Sequence, residues 1–334
     1  MRVCIYGMGA VGGLIAARLA AEGSADVSAI ARGATLAALN SGGLRLQSGD
    51  RLTQTPIRAS KHPAELGVQD LVVVSVKGPA LPAVAAGIAP LLGPDTVVLS
   101  AMNGVPWWFF DGVEGPCAGM HLESVDPGGA VTAAIPACRV IGCVVHLNAS
   151  APEPGFVLHR MGNGLIVGEP DGSLSARVQQ LAQLLARAGF DVTTSARIQN
   201  DIWYKLWGNL TFNPISALTG ATGDRILADP LVMAFCTAAM AEAGRIGDRI
   251  GCEIRQTPQE RHAVTRRLGA FRTSMLQDAE AGKPLEIDAI VGAAKEIGER
   301  VGVATPTIDA LLGLIRLLGR TRGLYPEGQS GSDT

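Results

Sequence analysis

The chain has 334 residues, of which 47% are hydrophobic and 17% charged, a composition typical of a globular protein with one or two large domains. A formal net charge of -2 provides no electrostatic basis for binding nucleic acid or an anionic membrane surface, so neither is expected as a partner. No uninterrupted apolar run reaches the ~20 residues of a membrane-spanning helix, and the glycine-rich N-terminus lacks the layout of a signal peptide. We therefore expect a cytoplasmic protein.

The first half of the chain alternates short apolar strands with helix-like segments. Strands are predicted at 2–6, 26–31, 70–77 and 96–101, and an Ala-rich helix at 10–22. This alternation favours a parallel, doubly wound sheet of the α/β class. Residues 117–168 contain strand-like pieces broken by Pro and Gly, which we interpret as an extension of the sheet at one edge of the same domain. A helix at 175–188 and a short strand at 190–195 complete this domain.

Helical periodicity dominates after residue 196. Helices are predicted at 198–218, 229–251, 259–281, 285–301 and 307–322. Asp229 is expected as an N-cap with Pro230 at the first helical position. We therefore predict an α/β nucleotide-type domain over 1–195, an all-helical domain over 196–325 and a disordered tail over 326–334.

The six cysteines do not predict a metal or disulfide framework. They stand at positions 4, 117, 138, 143, 236 and 252, none forms a CxxC pair, and no His/Cys cluster has metal-ligand spacing. We expect no metal, and we interpret the cysteines as reduced core thiols.

The segment "VCIYGMGAVGG" carries a GxGxxG motif directly after a strand and at the start of a helix. The first glycine permits a tight turn, the second lets a pyrophosphate approach the backbone, and the third lets the helix pack on the strand. The helix N-terminus offers unpaired N–H groups to the phosphates. The sequence therefore predicts a dinucleotide site, lined by Gly7, Met8, Gly9, Ala10, Val11 and Gly12. The alternative is a glycine-rich turn without a ligand.

The end of the second strand favours NADPH over NADH. An acidic residue there would bind the ribose 2'-hydroxyl, whereas this chain has Arg32, which suits a 2'-phosphate. Lys77 ends a later strand, where it either adds a second positive charge or is an ordinary strand-end lysine. Asn103 follows the next strand, at the sheet edge where ligands bind in open α/β folds.

A polar stripe crosses the apolar, aromatic segment "WYKLWGNLTFNP". Lys205, Asn209 and Asn213 follow at steps of four and share one face of a helix. Because hydride transfer to a ketone creates an alkoxide, a reductase needs a proton donor, and Lys205 could serve. The two amides could orient substrate hydroxyl or carboxylate groups. The alternative is a surface stripe in which the lysine snorkels.

Two further polar residues lie in "SMLQDAEAGKPLEID", the second twelve positions after the first. Ser274 could bond a substrate carboxylate, and Glu286 could steer the lysine ammonium. The alternative for Glu286 is a carboxylate in the first turn of a helix, which the helix dipole favours.

Four segments together resemble the ketopantoate reductase (2-dehydropantoate 2-reductase) family over nearly the full chain. They are "GMGAVGG", "NG" at 103–104, "KLWGNLTFNP" at 205–214 and "SMLQDAEAGKPLEID" at 274–288. The resemblance implies an N-terminal Rossmann domain and a C-terminal helical domain like that of 6-phosphogluconate dehydrogenase. It also implies the NADPH-dependent reduction of ketopantoate to pantoate, a step of coenzyme A biosynthesis.

The resemblance also implies a role for each site residue. Lys205 would be the general acid, and Glu286 would support the lysine and the cofactor. Asn209, Asn213 and Ser274 would bind substrate, and Asn103 would lie at the nicotinamide end, near both cofactor and substrate. Arg32 and Lys77 match the family's basic positions for the 2'-phosphate.

The chain departs from the family pattern at two positions. Phe271 replaces an Asn three residues before the site serine, and Gly223 replaces another Asn ten residues after Asn213. The segments 105–115 and 123–129 have no counterpart that we associate with the family. Two alternatives therefore stay open: a reductase of another 2-oxo acid, and a non-catalytic nucleotide-binding regulatory protein. A homodimer is compatible with the sequence, which does not determine the oligomeric state.

Overall fold

The computed structural model describes residues 1–327. Their contacts form two compact units, the first spanning Met1–Asp201 and the second beginning at Ile202. The division falls a few residues after position 195, inside one long helix. Most of the tail predicted at 326–334 lies outside the described residues.

The first unit is built on a ten-stranded, mainly parallel sheet. Its strands are β1 (Arg2–Tyr6), β2 (Asp26–Ile30), β3 (Leu44–Ser48), β4 (Arg51–Thr55), β5 (Arg58–Ser60), β6 (Gln69–Val74), β7 (Leu92–Ser100), β8 (Val140–Glu153), β9 (Phe156–Gly168) and β10 (Asp191–Thr194). Its helices are α1 (Ala10–Glu22), α2 (Gly33–Gly42), α3 (Leu81–Gly87), α4 (Ala130–Ala134) and α5 (Ala176–Arg187). The order across the sheet is β4-β3-β9-β8-β7-β6-β1-β2-β5, and β10 pairs with β9.

The central strands contain continuous apolar runs, as is typical of a parallel sheet with helices on both faces. Val3, Ile5, Val72, Val73 and Leu99 are all fully buried. These strands are the ones that apolar runs predict, and the predicted α/β architecture is confirmed.

The predicted sheet extension over residues 117–168 is present over 140–168, where β8 pairs with β7, but it does not form the end of the sheet. Residues 140–168 form the antiparallel hairpin β8–β9, and β9 also pairs with β3, so the hairpin lies inside the sheet. Residues 117–139 contain helical turns and α4 but no strand. The sequence did not predict β3, β4 and β5 because these strands are short and largely polar.

Residues 105–110 of the aromatic segment 105–115 belong to the core of the first unit. Trp107, Trp108, Phe109 and Phe110 are each at most 5% exposed. Trp108 lies where a side chain at Gly142 would stand, because a Cβ there would be 2.4 Å from its ring. These four aromatic side chains therefore contribute to the packing of the core.

The segment 123–129 also has a structural role. Asp126 is 1% exposed, and its carboxylate accepts hydrogen bonds of 2.8 Å from the backbone N–H groups of Val131 and Thr132. It therefore holds the first turn of α4.

The second unit is helical. Its elements are α6 (Ile198–Thr219), which starts in the first unit, α7 (Gly223–Ala228), α8 (Pro230–Arg249), α9 (Pro258–Arg266), α10 (Ser274–Glu280), a π-helical turn (Asp288–Gly292), α11 (Ala293–Arg300) and α12 (Pro306–Thr321). Asp229 caps α8 by accepting from the N–H groups of Leu231 and Val232, which confirms the predicted cap.

The helix predicted at 259–281 is two helices. The chain leaves the helical path after α9 at Gly269, whose φ of +65° suits glycine, and α10 begins at the side-chain cap of Thr273. The segment predicted as a helix at 285–301 begins later, with the π-helical turn that precedes α11. Periodicity alone did not separate these elements because apolar spacing continues across both breaks.

All six cysteines are free, and only Cys138 is exposed. Within residues 1–327, no helix has the length and apolar character needed to cross a membrane. Nor does this part of the chain bring three His, Cys, Asp or Glu side chains together in a metal-binding arrangement.

Candidate active site

The glycine loop between β1 and α1 is shaped by close backbone contacts. Gly7 has a φ of +113°, and its carbonyl oxygen accepts a hydrogen bond of 2.9 Å from the hydroxyl of Ser75. A Cβ at Gly12 would lie 2.1 Å from that carbonyl oxygen and 2.2 Å from the Ser75 hydroxyl. Any side chain at position 12 would therefore break the loop.

The same loop leaves room for an anion. Gly9 is exposed, and a Cβ there would meet nothing within 4 Å. It caps α1 without a side-chain hydrogen bond, and the first turn of α1 carries no acidic residue. The N–H groups and positive dipole end of α1 are thus neither capped by a side chain nor opposed by a carboxylate, which fits a pyrophosphate.

A fourth glycine has a role that the motif did not predict. A Cβ at Gly13 would lie 2.5 Å from Val157 of β9. Gly13 therefore permits the close packing of α1 on the sheet, in addition to the packing role that the motif assigns to Gly12.

A cavity of about 270 Å³ opens beside this loop. Its lining includes Gly7 and Met8 from the loop, Arg32 from the end of β2, and two residues that the sequence did not single out, Tyr6 and Thr35. Arg32 is exposed and directly precedes α2. The cavity is therefore lined by the Arg32 guanidinium and by Thr35 in the first turn of α2, both of which provide hydrogen-bond donors. These donors fit a phosphate on the ribose side of a dinucleotide.

Tyr6 lies next to the arginine. Burial raises the pKa of its hydroxyl, and the charge and hydrogen bond of Arg32 partly oppose that rise. The Tyr6 hydroxyl therefore stays protonated near neutral pH. It contacts the Arg32 guanidinium as an uncharged group. Its place directly before Gly7 is the only sequence signal that could have identified it.

Lys77 and Asn103 follow neighbouring parallel strands. Lys77 comes after β6 and directly after Val76, which lines the cavity, and Asn103 comes after β7. Because β6 and β7 pair in parallel, their carboxyl ends lie at the same sheet edge. Both side chains are partly buried, and neither belongs to the cavity lining itself.

In the second unit, hydrogen bonds from the apolar, aromatic side of α6 fix the direction of its polar stripe. The indole N–H groups of Trp203 and Trp207 donate to the carbonyl oxygens of Ala243 and Met240 in α8, at 3.2 and 2.7 Å. These bonds fix the rotation of α6 and thereby the direction of the stripe. Its members lie on one face of a continuous helix, as predicted, and become more buried along it: Lys205 and Asn209 are partly buried, and Asn213 is 5% exposed.

A positive charge that the sequence did not predict lies along the same helix. The guanidinium of Arg261 stacks 4.7 Å from the ring centroid of Tyr204, and its Nη1 donates to the Tyr204 hydroxyl at 3.1 Å. A Cβ at Gly208 would be 3.3 Å from its Nη2. Tyr204 and Gly208 each precede a member of the stripe by one residue, so Arg261 adds a fixed cation that favours an anionic ligand.

Ser274 is placed by a bond between its helix and α6. The hydroxyls of Ser216 and Thr273 lie 2.5 Å apart, and Ser216 also donates to the carbonyl oxygen of Asn213. Thr273 caps α10, and Ser274 is the exposed first residue of that helix. The structure therefore brings the start of α10 to the level of Asn213.

Glu286 is 8% exposed and lies two residues before the π-helical turn. It therefore precedes the helical segment rather than belonging to its first turn.

The two departures from the family pattern contact each other. A Cβ at Gly223 would lie 1.9 Å from Cε1 of Phe271, and the Gly223 N–H donates to the Phe271 carbonyl oxygen at 2.9 Å. The ring of Phe271 also packs 6.1 Å from that of Phe212, the residue before Asn213. Phe271 thus occupies the space that any side chain at position 223 would need.

Comparison with known proteins identifies the family of this chain. The family model described as ketopantoate reductase PanE/ApbA matches residues 3–107, and the model of the C-terminal part of the same family matches residues 197–319. A 2-dehydropantoate 2-reductase from Mesorhizobium japonicum is 45% identical over 97% of this chain and 100% of its own length. The chain belongs to the ketopantoate reductase family. The resemblance noted from the sequence is thereby confirmed.

Solved structures of the family have the same fold. A protein provisionally described as a ketopantoate reductase from Ralstonia solanacearum is 58% identical, with a TM-score of 0.94 over 97% of this chain and 99% of that chain. A 2-dehydropantoate 2-reductase from Geobacter metallireducens is 28% identical, with a TM-score of 0.83 over 95% of this chain and 99% of that chain. The ketopantoate reductase family consists of nicotinamide-dependent oxidoreductases, and this chain is an enzyme of that class.

Proposed function

We propose that this enzyme reduces 2-dehydropantoate (ketopantoate) to pantoate with NADPH. The observation that carries the proposal is the Lys205–Asn209–Asn213 stripe of α6, together with the start of α10, where Thr273 is bonded to Ser216 of the same helix. A lysine next to several neutral hydrogen-bonding groups suits the protonation of a carbonyl in a polar acid. The 45% identity to the relative from Mesorhizobium japonicum, named 2-dehydropantoate 2-reductase, supports the same substrate.

The first unit has the residues to hold NADPH. The glycine loop and the start of α1 would receive the pyrophosphate, and Arg32 with the first turn of α2 would receive the 2'-phosphate. Lys77 would add positive charge at the same side, and Asn103 would lie at the nicotinamide end. When bound, NADPH supplies a hydride to the carbonyl carbon of the substrate.

The residues of the second unit complete the reduction. The ammonium group of Lys205 donates a proton to the carbonyl oxygen as hydride adds to the carbon, so no free alkoxide is formed. Lys205 is left neutral and regains a proton from solvent. The amides of Asn209 and Asn213 orient the substrate hydroxyl and carboxylate, and the Ser274 hydroxyl donates to the carboxylate. Glu286 accepts a hydrogen bond from the ammonium group and directs it.

One observation favours a second substrate class. Phe271 presents an aromatic ring, and Gly223 no side chain, where the family pattern has amides. A pocket with an apolar wall beside the Asn pair would also accept 2-oxo acids that lack the terminal hydroxyl.

The test is NADPH oxidation by the purified protein with a panel of 2-oxo acids. The proposal expects ketopantoate to be turned over with the highest kcat/KM or close to it. A protein that binds NADPH and turns over none of the panel would instead support the non-catalytic alternative. A preference for another 2-oxo acid by a large factor would retain the chemistry and reject ketopantoate.

A further inference from the structure

The chain reverses direction after α12 through a complete glycine-based helix cap. Gly323 has a φ of +64°, its N–H donates to the Arg320 carbonyl at 3.0 Å, and the Leu324 N–H donates to the Gly319 carbonyl at 2.7 Å. This pair of bonds is the Schellman pattern, which satisfies the last carbonyls of a helix. A Cβ at Gly319 would lie 2.6 Å from Cβ of Tyr325, so the glycine also admits the returning chain.

The returning segment contacts the chain on both sides of Glu286. The Leu285 N–H donates to the Leu324 carbonyl oxygen at 3.0 Å, one residue before the glutamate. The Tyr325 hydroxyl donates to Oδ1 of Asp288 at 2.8 Å, two residues after it. Leu324 and Tyr325 thus hold a stretch of only four residues, with Glu286 inside it.

A charge pair fixes the same carboxylate. Nη2 of Arg316 donates to Oδ1 of Asp288 at 2.7 Å, and its guanidinium lies 5.7 Å from the ring centroid of Tyr325. Both charged side chains are about one-third exposed, so the pair is only partly screened by solvent. Burial is the larger cause that raises the pKa of the Tyr325 hydroxyl, and the hydrogen bond to Asp288 raises that pKa further. The hydroxyl therefore stays a donor at neutral pH.

The fixed carboxylate belongs to the first residue of the π-helical turn. In this turn the Ile287 carbonyl oxygen lies within hydrogen-bonding distance of the N–H groups of Ile290, Val291 and Gly292, at 3.3, 2.7 and 3.2 Å. Such turns are rare, occur mostly as single turns, and are frequent at functional sites. Anchoring Asp288 therefore fixes the start of the π-helical turn, and with it the path of the backbone directly after Glu286.

We infer that Tyr325, with Asp288 and Arg316, is a positioning residue that holds Glu286 in place for the reaction. The inference rests on the proposed function, in which Glu286 directs the ammonium group of Lys205. The Tyr325 hydroxyl acts through Asp288 and the backbone, and it does not itself contact substrate or cofactor in this role.

The test is a double-mutant cycle of Tyr325→Phe and Glu286→Gln, measured by steady-state kinetics with NADPH and the preferred 2-oxo acid. Tyr325→Phe removes one hydroxyl and keeps the ring, so we expect kcat to fall by about tenfold, as small displacements of catalytic groups can cause, with little change in the KM for NADPH. In the Glu286→Gln background the same change should have no further effect, because the group that it positions is already lost.

Thr321→Val is the matched control, because it removes a hydroxyl that, within residues 1–327, is bonded to the carbonyls of Leu317 and Leu318 in its own helix. It should leave kcat unchanged. Hydrogen exchange gives a readout that does not depend on activity: the amides of 285–292 should exchange faster in Tyr325→Phe and not in the control.

Three results would overturn the inference. An unchanged kcat in Tyr325→Phe would show that the hydroxyl positions nothing. An equal loss in both backgrounds of the cycle would show a general structural effect instead of one that acts through Glu286. Full activity of Glu286→Gln would reject the role of Glu286 itself. That result would count against the proposed function, whereas the first two results would count against the positioning role alone.

Discussion

The contact between Gly223 and Phe271 predicts that the two positions cannot be changed independently. Gly223→Ala would place a Cβ 1.9 Å from the Phe271 ring, far inside van der Waals contact. The ring cannot withdraw freely, because the Phe271 backbone is bonded to the Gly223 N–H and its other side packs on Phe212. Either the ring leaves its position or the start of α7 moves.

The size of the effect follows from two opposing terms. Overpacking typically costs about 1–3 kcal/mol. The φ of Gly223 is not positive, so Ala is tolerated there and regains about 0.4–1 kcal/mol through the unfolded chain. We therefore expect Gly223→Ala to lower the free energy of unfolding by about 1–2 kcal/mol. In the Phe271→Ala background the clash is absent, so the same substitution should be neutral or slightly stabilising.

Urea unfolding of the wild type, both single variants and the double variant measures this coupling. The expected coupling energy is about 1–3 kcal/mol, within the range found for residues in contact. A free energy for the double variant equal to the sum of the two single effects would refute the steric argument, because it would mean that the ring moves aside at no cost. Circular dichroism of each variant before unfolding controls for a change of fold.

The remaining predictions concern the chemistry. Arg32→Asp should weaken NADPH binding far more than NADH binding in a fluorescence titration, because it removes a charge-assisted contact of about 1.5–3 kcal/mol and adds repulsion; tighter binding of NADH than of NADPH by the unmodified protein would contradict this. Lys205→Ala should lower kcat by ~10²–10⁴ with little change in NADPH affinity, and a variant that keeps more than half of the wild-type turnover would mean that the stripe is only structural. Ketopantoate should be preferred over ketoisovalerate by only about tenfold in kcat/KM, or ~1.4 kcal/mol; a preference of several thousandfold would mean that the Asn pair suffices and that Phe271 does not relax specificity.

Features that depend on neighbours in the chain were predictable from the sequence. The glycine loop is one, because strand, turn and helix follow each other within a few residues, and Gly12 meets the Gly7 carbonyl oxygen that the same loop supplies. The stripe of α6 is another, since a step of four residues places side chains on one helical face whatever surrounds the helix. The cap of α8 by Asp229 likewise involves only adjacent residues.

Features that depend on distant neighbours were decided by the tertiary structure. The aromatic run beginning at Trp107 has the composition of a binding surface, but the missing side chain of Gly142 makes room for Trp108, and the run is buried. The hairpin β8–β9 lies inside the sheet because β3, far earlier in the chain, pairs with it. No local pattern records such pairings, since hydrogen bonds between strands can join any two segments of suitable length.

The same division applies to the candidate site. The sequence by itself indicated which side chains we propose for the chemistry, because a proton donor, amide donors and a phosphate-binding loop are properties of residue types at fixed spacing. The fold alone determined what supports them: Tyr6 beside Arg32, Arg261 beside the stripe, and Tyr325 beside the segment of Glu286. Each of these partners lies more than twenty residues from the group that it contacts. Only the packing of whole helices and strands brings them together, because burial of apolar surface determines which distant segments meet.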